Sequence, residues 1–178
     1  MAITRTLALL FFALAGIQFM TLEHVQAADL KVGDKAPLFK AKTQDGADFD
    51  LASRKGSWTV LYFYPKAGTP GCTKQACAFR DSIDQIRSQG ADVFGISADT
   101  VAEQAAFHKE HSLNFTLLAD ADNKIINLYG SKMPMMKMSK RWTFIVDPEL
   151  KIRWVEKDVD PAMDAKKVAN EIISLKAK

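Results

Sequence analysis

Cysteine is scarce in this chain of 178 residues, which holds two. That excludes a disulfide-dense scaffold and a four-cysteine zinc site. Histidine is nearly as rare, with three. An excess of one charge is missing as well. Lys and Arg number 24 against 21 Asp and Glu, a formal net charge of +3, which argues against a strongly basic nucleic-acid binder. Low-complexity disorder is excluded by an apolar content of 48%. The chain carries no Gly-rich phosphate loop, no Ser-His-Asp arrangement, no basic-aromatic stripe, no internal repeat and no linker. Its length fits one domain able to bury a core unaided.

No apolar run reaches the roughly 20 residues of a membrane span. The nearest is Leu7 to Met20, 14 residues interrupted only by Gln18. Arg5 precedes it, and Val25-Gln26-Ala27 follows with small residues at the positions a signal peptidase reads. Residues 1–27 are therefore predicted to be a cleavable signal peptide, with 28–178 as the mature domain. An uncleaved anchor or a buried helix is the competing reading. Arg5 and Glu23 leave together, so the mature charge is unchanged. Export predicts an oxidising compartment, the bacterial periplasm, where paired cysteines can rest as a disulfide.

From Asp29 onward the pattern is α/β. Pro37 to Leu51 reads as a β-hairpin around an Asp45-Gly46 turn. Trp58 to Tyr64 and Ala91 to Ser97 are apolar enough for strands covered on both faces. Between them, Ala76, Phe79, Ile83 and Ile86 recur at helical spacing, predicting a helix over 70–89 stopped by Gly90. A polar helix over 100–111, a strand over 115–119 and a short helix over 123–129 follow. Strands over 143–146 and 151–156, then an amphipathic helix over 161–176, complete the chain. Strands alternating with helices, with hairpins at both ends, predict a mixed central sheet flanked by helices.

The chemistry concentrates between Pro65 and Cys77. A buried strand runs into a Gly/Pro loop, with Thr69 suited to the N-cap and Pro70 to the first helical position. Cys72 then falls in the first turn, where unpaired N–H groups and the helix dipole favour a thiolate. Gly68 and Gly71 leave room for a small substrate beside the backbone. Cys77 lies five residues on. In a regular helix that separation is about 7.5 Å along the axis and about half a turn around it. A disulfide needs Cα atoms roughly 4.4–6.8 Å apart. The two cannot bond while both remain helical, so a redox cycle would unwind the first turns. A static disulfide or two inert thiols is the bland alternative.

Tyr62-Phe63-Tyr64-Pro65, Thr69-Pro70-Gly71-Cys72-Thr73 and Ala76-Cys77 with Arg80-Asp81 together resemble a peroxiredoxin, of the bacterioferritin-comigratory-protein or Q-type group. The Pro-x-x-x-Thr-x-x-Cys motif is met by Pro65, Thr69 and Cys72. Val32 to Pro37 and Arg141 to Asp147 extend the likeness over essentially all of 29–178. The resemblance implies a thioredoxin-like fold and a thiol peroxidase acting on hydrogen peroxide and organic hydroperoxides, with no metal or organic cofactor. It implies Cys72 as peroxidatic and Cys77 as resolving cysteine. It further implies Thr69 as a hydrogen-bond partner of the peroxide, Pro65 as a shield against water, and Arg141 as the cation on thiolate and peroxide. A thioredoxin-like dithiol partner would recycle the enzyme, and resolution within one chain suits a monomer. Two features depart from the family pattern. One is the export signal. The other is Trp142, which stands where a small polar residue is expected and would reshape the pocket floor.

Two other functions remain open. One is a thiol–disulfide oxidoreductase of the same fold, although the spacing is Cys-x4-Cys rather than Cys-x2-Cys. The other is a copper-binding module using the cysteines and the thioethers of Met133, Met135, Met136 and Met138. The plainer expectation makes those methionines apolar fillers of a long loop. His108 and His111 are expected on an exposed helical face rather than at a metal.

Overall fold

The computed structural model describes residues 29–177. The predicted leader, 1–27, lies outside the described residues. β1 (Lys40–Thr43) and β2 (Asp48–Asp50) form the expected hairpin, with Ala41 opposite Phe49. A short 3-10 helix, Leu51–Arg54, follows directly. Asp50 caps it, accepting the Ala52 N–H at 2.9 Å. No periodicity announces so short an element.

β3 (Trp58–Phe63) leads into α1 (Pro70–Arg87), and β4 (Ala91–Ser97) into α2 (Val101–Glu110). β5 (Thr116–Ala119) and α3 (Lys124–Leu128) precede β6 (Trp142–Val146), β7 (Ile152–Glu156) and α4 (Asp164–Lys176). The closing helix starts three residues later than Pro161. The Asp160 carboxylate accepts the Ala162 N–H, and its carbonyl accepts from Met163 and Asp164, so a turn precedes the helix. α2 has a full capping box: Glu103 N–H donates to Thr100 Oγ1 and Thr100 N–H to the Glu103 carboxylate.

Among the described residues the strands form one sheet in the order β2-β1-β5-β4-β3-β6-β7. β3, β4 and β5 run parallel, and the hairpin at one edge and β6-β7 at the other pair antiparallel. The mixed sheet is thus the one the alternation predicts. Side chains of β3 alternate between two cores. Val60 and Tyr62 join Phe79, Ile83, Val168 and Ile172 under α1 and α4. Leu61 and Phe63 join Phe39, Ile126, Tyr129 and Phe144 on the other face. Burial on both faces explains why β3 and β4 read as almost unbroken apolar runs.

One central position depends on a missing side chain. A Cβ on Gly95 would lie 2.6 Å from the Tyr62 hydroxyl and 2.8 Å from Leu117, so Tyr62 occupies space that only glycine leaves. The Tyr62 ring stacks on Phe79, but its buried hydroxyl has no hydrogen-bond partner among the described residues. An unpaired buried hydroxyl is expensive. Tyr62→Phe is therefore expected to raise stability by about 1 kcal/mol, read as a higher urea midpoint at unchanged m. A lower midpoint would show that the hydroxyl is satisfied.

Candidate active site

β3 delivers the chain to the site and α1 receives it. The loop between them, Pro65–Thr69, is tied from below by Asp99. Its buried carboxylate accepts the Ala67 N–H at 2.8 Å and the Ser97 hydroxyl at 2.6 Å, and Lys66 Nζ lies 3.6 Å away. Gly68 turns the loop at φ +74°, a conformation that favours glycine. Pro65 is half-buried at the loop's start.

Thr69 holds the N-cap position with extended backbone, as expected, but its side chain does not cap α1. Its hydroxyl donates to the Lys66 carbonyl at 2.9 Å. The loop offers that acceptor on the preceding turn, and the helix loses its side-chain cap in consequence. The first ladder bond runs from Thr73 N–H to the Thr69 carbonyl at 2.9 Å, which leaves the Gly71 and Cys72 N–H groups ahead of it.

Cys72 lies in the first turn of α1 and is 1% exposed, packed in the core that holds Tyr62 and Tyr64. Cys77 is half-buried on the same helix, and both thiols are free. α1 is unbroken from 70 to 87, so the spacing argument applies to this state directly.

Arg141 sits immediately before β6. Because Phe63 pairs with Trp142, Arg141 comes level with the end of β3, where α1 begins. Its Nη2 donates to Cys72 Sγ at 3.4 Å, and its Nη1 donates to Gln75 Oε1 at 2.5 Å. Gly71 makes room: a Cβ there would stand 3.3 Å from Nη2. The structure therefore brings Cys72, Arg141, Thr69 and Pro65 to one end of the sheet.

Several residues at the site escaped the sequence reading. Gln75, one turn beyond Cys72, is fully buried, and its Nε2 donates to Asp164 Oδ2 at 2.6 Å. Thr143 Oγ1 donates to the same oxygen at 2.8 Å. Asp164 is 0% exposed, and burial pushes its carboxyl up to about 6 against the opposing bonds from Thr143 and Gln75. The signals were present but quiet. Gln75 interrupts an apolar helical face, Thr143 an apolar strand, and Asp164 lies in line with Val168 and Ile172 on the buried stripe of α4.

Other expectations are corrected. Trp142 does not floor the pocket. It packs with Phe144 in the core on the sheet face opposite α1, between the ammonium groups of Lys140 and Lys157 at 4.9 and 4.6 Å. Alternation along β6 turns its ring away from the face Thr143 serves. His108 and His111 are not exposed. His108 Nε2 lies 3.1 Å from the Phe115 carbonyl, and the His111 ring packs edge-on against Phe107, because α2 lies down on the sheet beside β5. The loop before Arg141 is closed by Met133 N–H to the Met138 carbonyl at 2.9 Å. Met135 is fully exposed and Met136 about half exposed, so neither fills a core, whereas Met133 and Met138 are half-buried.

Residues 32–155 match the AhpC/TSA family. Peroxiredoxin Bcp of Escherichia coli K12 is 41% identical over 135 residues, covering 72% of this chain and 86% of that protein. Chloroplastic peroxiredoxin Q of Triticum aestivum is 43% identical over 124 residues, 69% of this chain and 57% of its own length. Among solved structures, peroxidoxin BcpB of Mycobacterium tuberculosis superposes with a TM-score of 0.77 at 32% identity, covering 82% of this chain and 98% of that one. Peroxiredoxin Q of Xylella fastidiosa superposes at 0.79, with 24% identity, over 85% of this chain and 99% of its own, and shows the same fold. That fold is the thioredoxin-like one, with the hairpin added at its N-terminal edge. The free cysteine at the start of α1 thus sits in a shared scaffold, and the chain belongs to the AhpC/TSA family as a peroxiredoxin of the Bcp/peroxiredoxin Q subgroup.

Proposed function

We propose that the protein is an exported thiol peroxidase in which Cys72 attacks hydrogen peroxide and organic hydroperoxides and Cys77 resolves the product. The observation that carries the reading is the Arg141 guanidinium, 3.4 Å from the Cys72 sulfur at the start of α1. A permanent cation and the N–H groups at the start of α1 stabilise negative charge at the attacking sulfur. The thiolate attacks one peroxide oxygen and the O–O bond breaks. Cys72 becomes a sulfenic acid, and the alkoxide or hydroxide that leaves takes a proton from solvent. Arg141 has further N–H donors to place on the developing negative charge. Thr69 sends its proton to the Lys66 carbonyl, which leaves its lone pairs to accept from the peroxide O–H. Half-buried Pro65 shields the sulfur from water.

The Cys77 thiol then condenses with the sulfenic acid, forming the Cys72–Cys77 disulfide and releasing water. A thioredoxin-like dithiol restores both thiols by exchange. Export places that partner outside the cytoplasm, in the periplasm of a bacterium. Intramolecular resolution needs no second subunit, and the working form is a monomer.

The test mixes reduced protein with one equivalent of hydrogen peroxide and follows thiols and intact mass. Loss of both thiols and about two mass units, blocked in Cys72→Ser, is expected. Cys77→Ser should react once and then accumulate sulfinic acid with excess peroxide. Full cycling by Cys77→Ser would overturn its resolving role, and reaction no faster than free cysteine would overturn the peroxidase reading.

A further inference from the structure

We propose that Asp164 is a positioning residue for the peroxidase reaction: through Gln75 it fixes the Arg141 guanidinium on the Cys72 sulfur. The proposal rests on Cys72 and Arg141 reacting with peroxide as read above. Asp164 opens α4 and lies 89 positions from Gln75 in the chain, yet its Oδ2 takes the Gln75 Nε2 at 2.6 Å. Gln75 Oε1 takes Arg141 Nη1 at 2.5 Å, and Arg141 Nη2 reaches Cys72 Sγ at 3.4 Å. The relay is buried at its inner end, since Gln75 and Asp164 are both 0% exposed.

The donor and acceptor inventory makes this relay directional. A primary amide presents an acceptor at one end and donors at the other, and can be turned over. Arg141 offers only donors, and an ionised carboxylate only acceptors. With both neighbours in place, one orientation satisfies both ends of the amide: Oε1 towards Arg141 and Nε2 towards Asp164. Without the acceptor at 164, a buried Nε2 loses its partner, and the amide gains a reason to turn its donors towards the guanidinium. Gln75 also keeps the carboxylate off the cation. Arg141 directs its donors to an amide oxygen and a sulfur, so its charge is not cancelled by Asp164 and remains available to thiolate and peroxide. Thr143 Oγ1, donating at 2.8 Å to the same Oδ2, anchors the carboxylate to β6, the strand that Arg141 precedes. One oxygen of Asp164 thus ties α1, α4 and β6 together at the level of the reacting sulfur. The other, Oδ1, has no partner among the described residues, so the carboxylate's side-chain hydrogen bonds come from Gln75 and Thr143.

The test is a double-mutant cycle on the reduced full chain, reading loss of the Cys72 thiol to hydrogen peroxide by stopped flow. Asp164→Leu is expected to slow the reaction by about tenfold or more, as small misplacements of catalytic groups do. Asp164→Asn can offer its amide oxygen to Gln75 and Thr143, and should stay within about threefold of the natural protein. Gln75→Leu should also be slow, and adding Asp164→Leu to it should change the rate by less than about twofold, because the relay is already cut. If Asp164→Leu does not fold, Asp164→Ser, which removes the carboxylate with less apolar change, carries the same cycle. The proposal is overturned if the leucine or serine variant reacts as fast as the natural protein. It is equally overturned if asparagine does not rescue, or if the two substitutions multiply. A purely structural role would move the unfolding midpoint but not produce that rescue and non-additivity. Cys72→Ser runs alongside: peroxide consumption surviving there overturns the Cys72 reading and this proposal with it, whereas the outcomes above overturn this proposal alone.

Discussion

Arg141→Met should slow the reaction of reduced protein with hydrogen peroxide by about 10²–10³-fold, the usual loss when one preorganised donor to developing charge is removed. The guanidinium touches the sulfur at 3.4 Å and braces itself on Gln75 at 2.5 Å, so one group supplies both the charge and its fixed direction. Methionine retains the length and apolar stem but no donor and no charge. The side chain is half-buried and the helix beneath it is held by Phe79, Ile83 and Ile86, so the fold should survive. Arg141→Lys should recover only part of the rate. A single ammonium can stand at the sulfur or at Gln75, whereas the planar fork serves both. Stopped-flow thiol loss, with thermal unfolding as control, checks both variants. A rate within about threefold for Arg141→Met would mean that the helix start alone stabilises the negative charge at the sulfur.

Forming the Cys72–Cys77 disulfide should open the start of α1, and amide exchange over 73–78 should accelerate by about 10² or more on oxidation. The thiols sit at i and i+5 of an unbroken helix, about 7.5 Å apart along its axis and about half a turn apart around it. One is buried and the other half-buried. No rotamer change closes that gap, because a disulfide wants Cα atoms within roughly 6.8 Å. The Thr73 N–H to Thr69 bond must break, and Gln75 leaves both Arg141 and Asp164 as its turn unwinds. The faster exchange should therefore extend to the first turn of α4 and be absent in Cys77→Ser treated the same way. Equal exchange in the two redox states would show that the cysteines bond by another route.

Local chemistry was the legible part of this molecule. The strand–loop–helix around Cys72 could be read because each step is a near-neighbour effect: apolar residues at Trp58 to Phe63, Pro70 as a first helical residue, Gly90 as a stop at φ +72°. The incompatibility of Cys72 and Cys77 in one helix needed only helix geometry. Thr69 shows where local reasoning stops. Its backbone is that of an N-cap, but its hydroxyl had two acceptable partners, and the shape of the loop at Gly68 chose the Lys66 carbonyl.

What stands around the sulfur was decided between distant segments. Arg141 reaches Cys72 across 69 positions because Phe63 pairs with Trp142, and register between strands is set by the packing of two whole sheet faces. The role proposed for it rests on family resemblance; no spacing within the sequence points from one to the other. Asp164, Thr143 and Gln75 are unremarkable polar residues on three separate elements, and only their burial together makes each the obligatory partner of the next. The α/β order, the helix-start cysteine and the incompatibility of a Cys72–Cys77 disulfide with an intact helix are local properties, readable along the chain. The tertiary structure alone decided which cation, which amide and which carboxylate surround the thiol, because hydrogen-bond partners across a core are chosen by docking and not by distance along the chain.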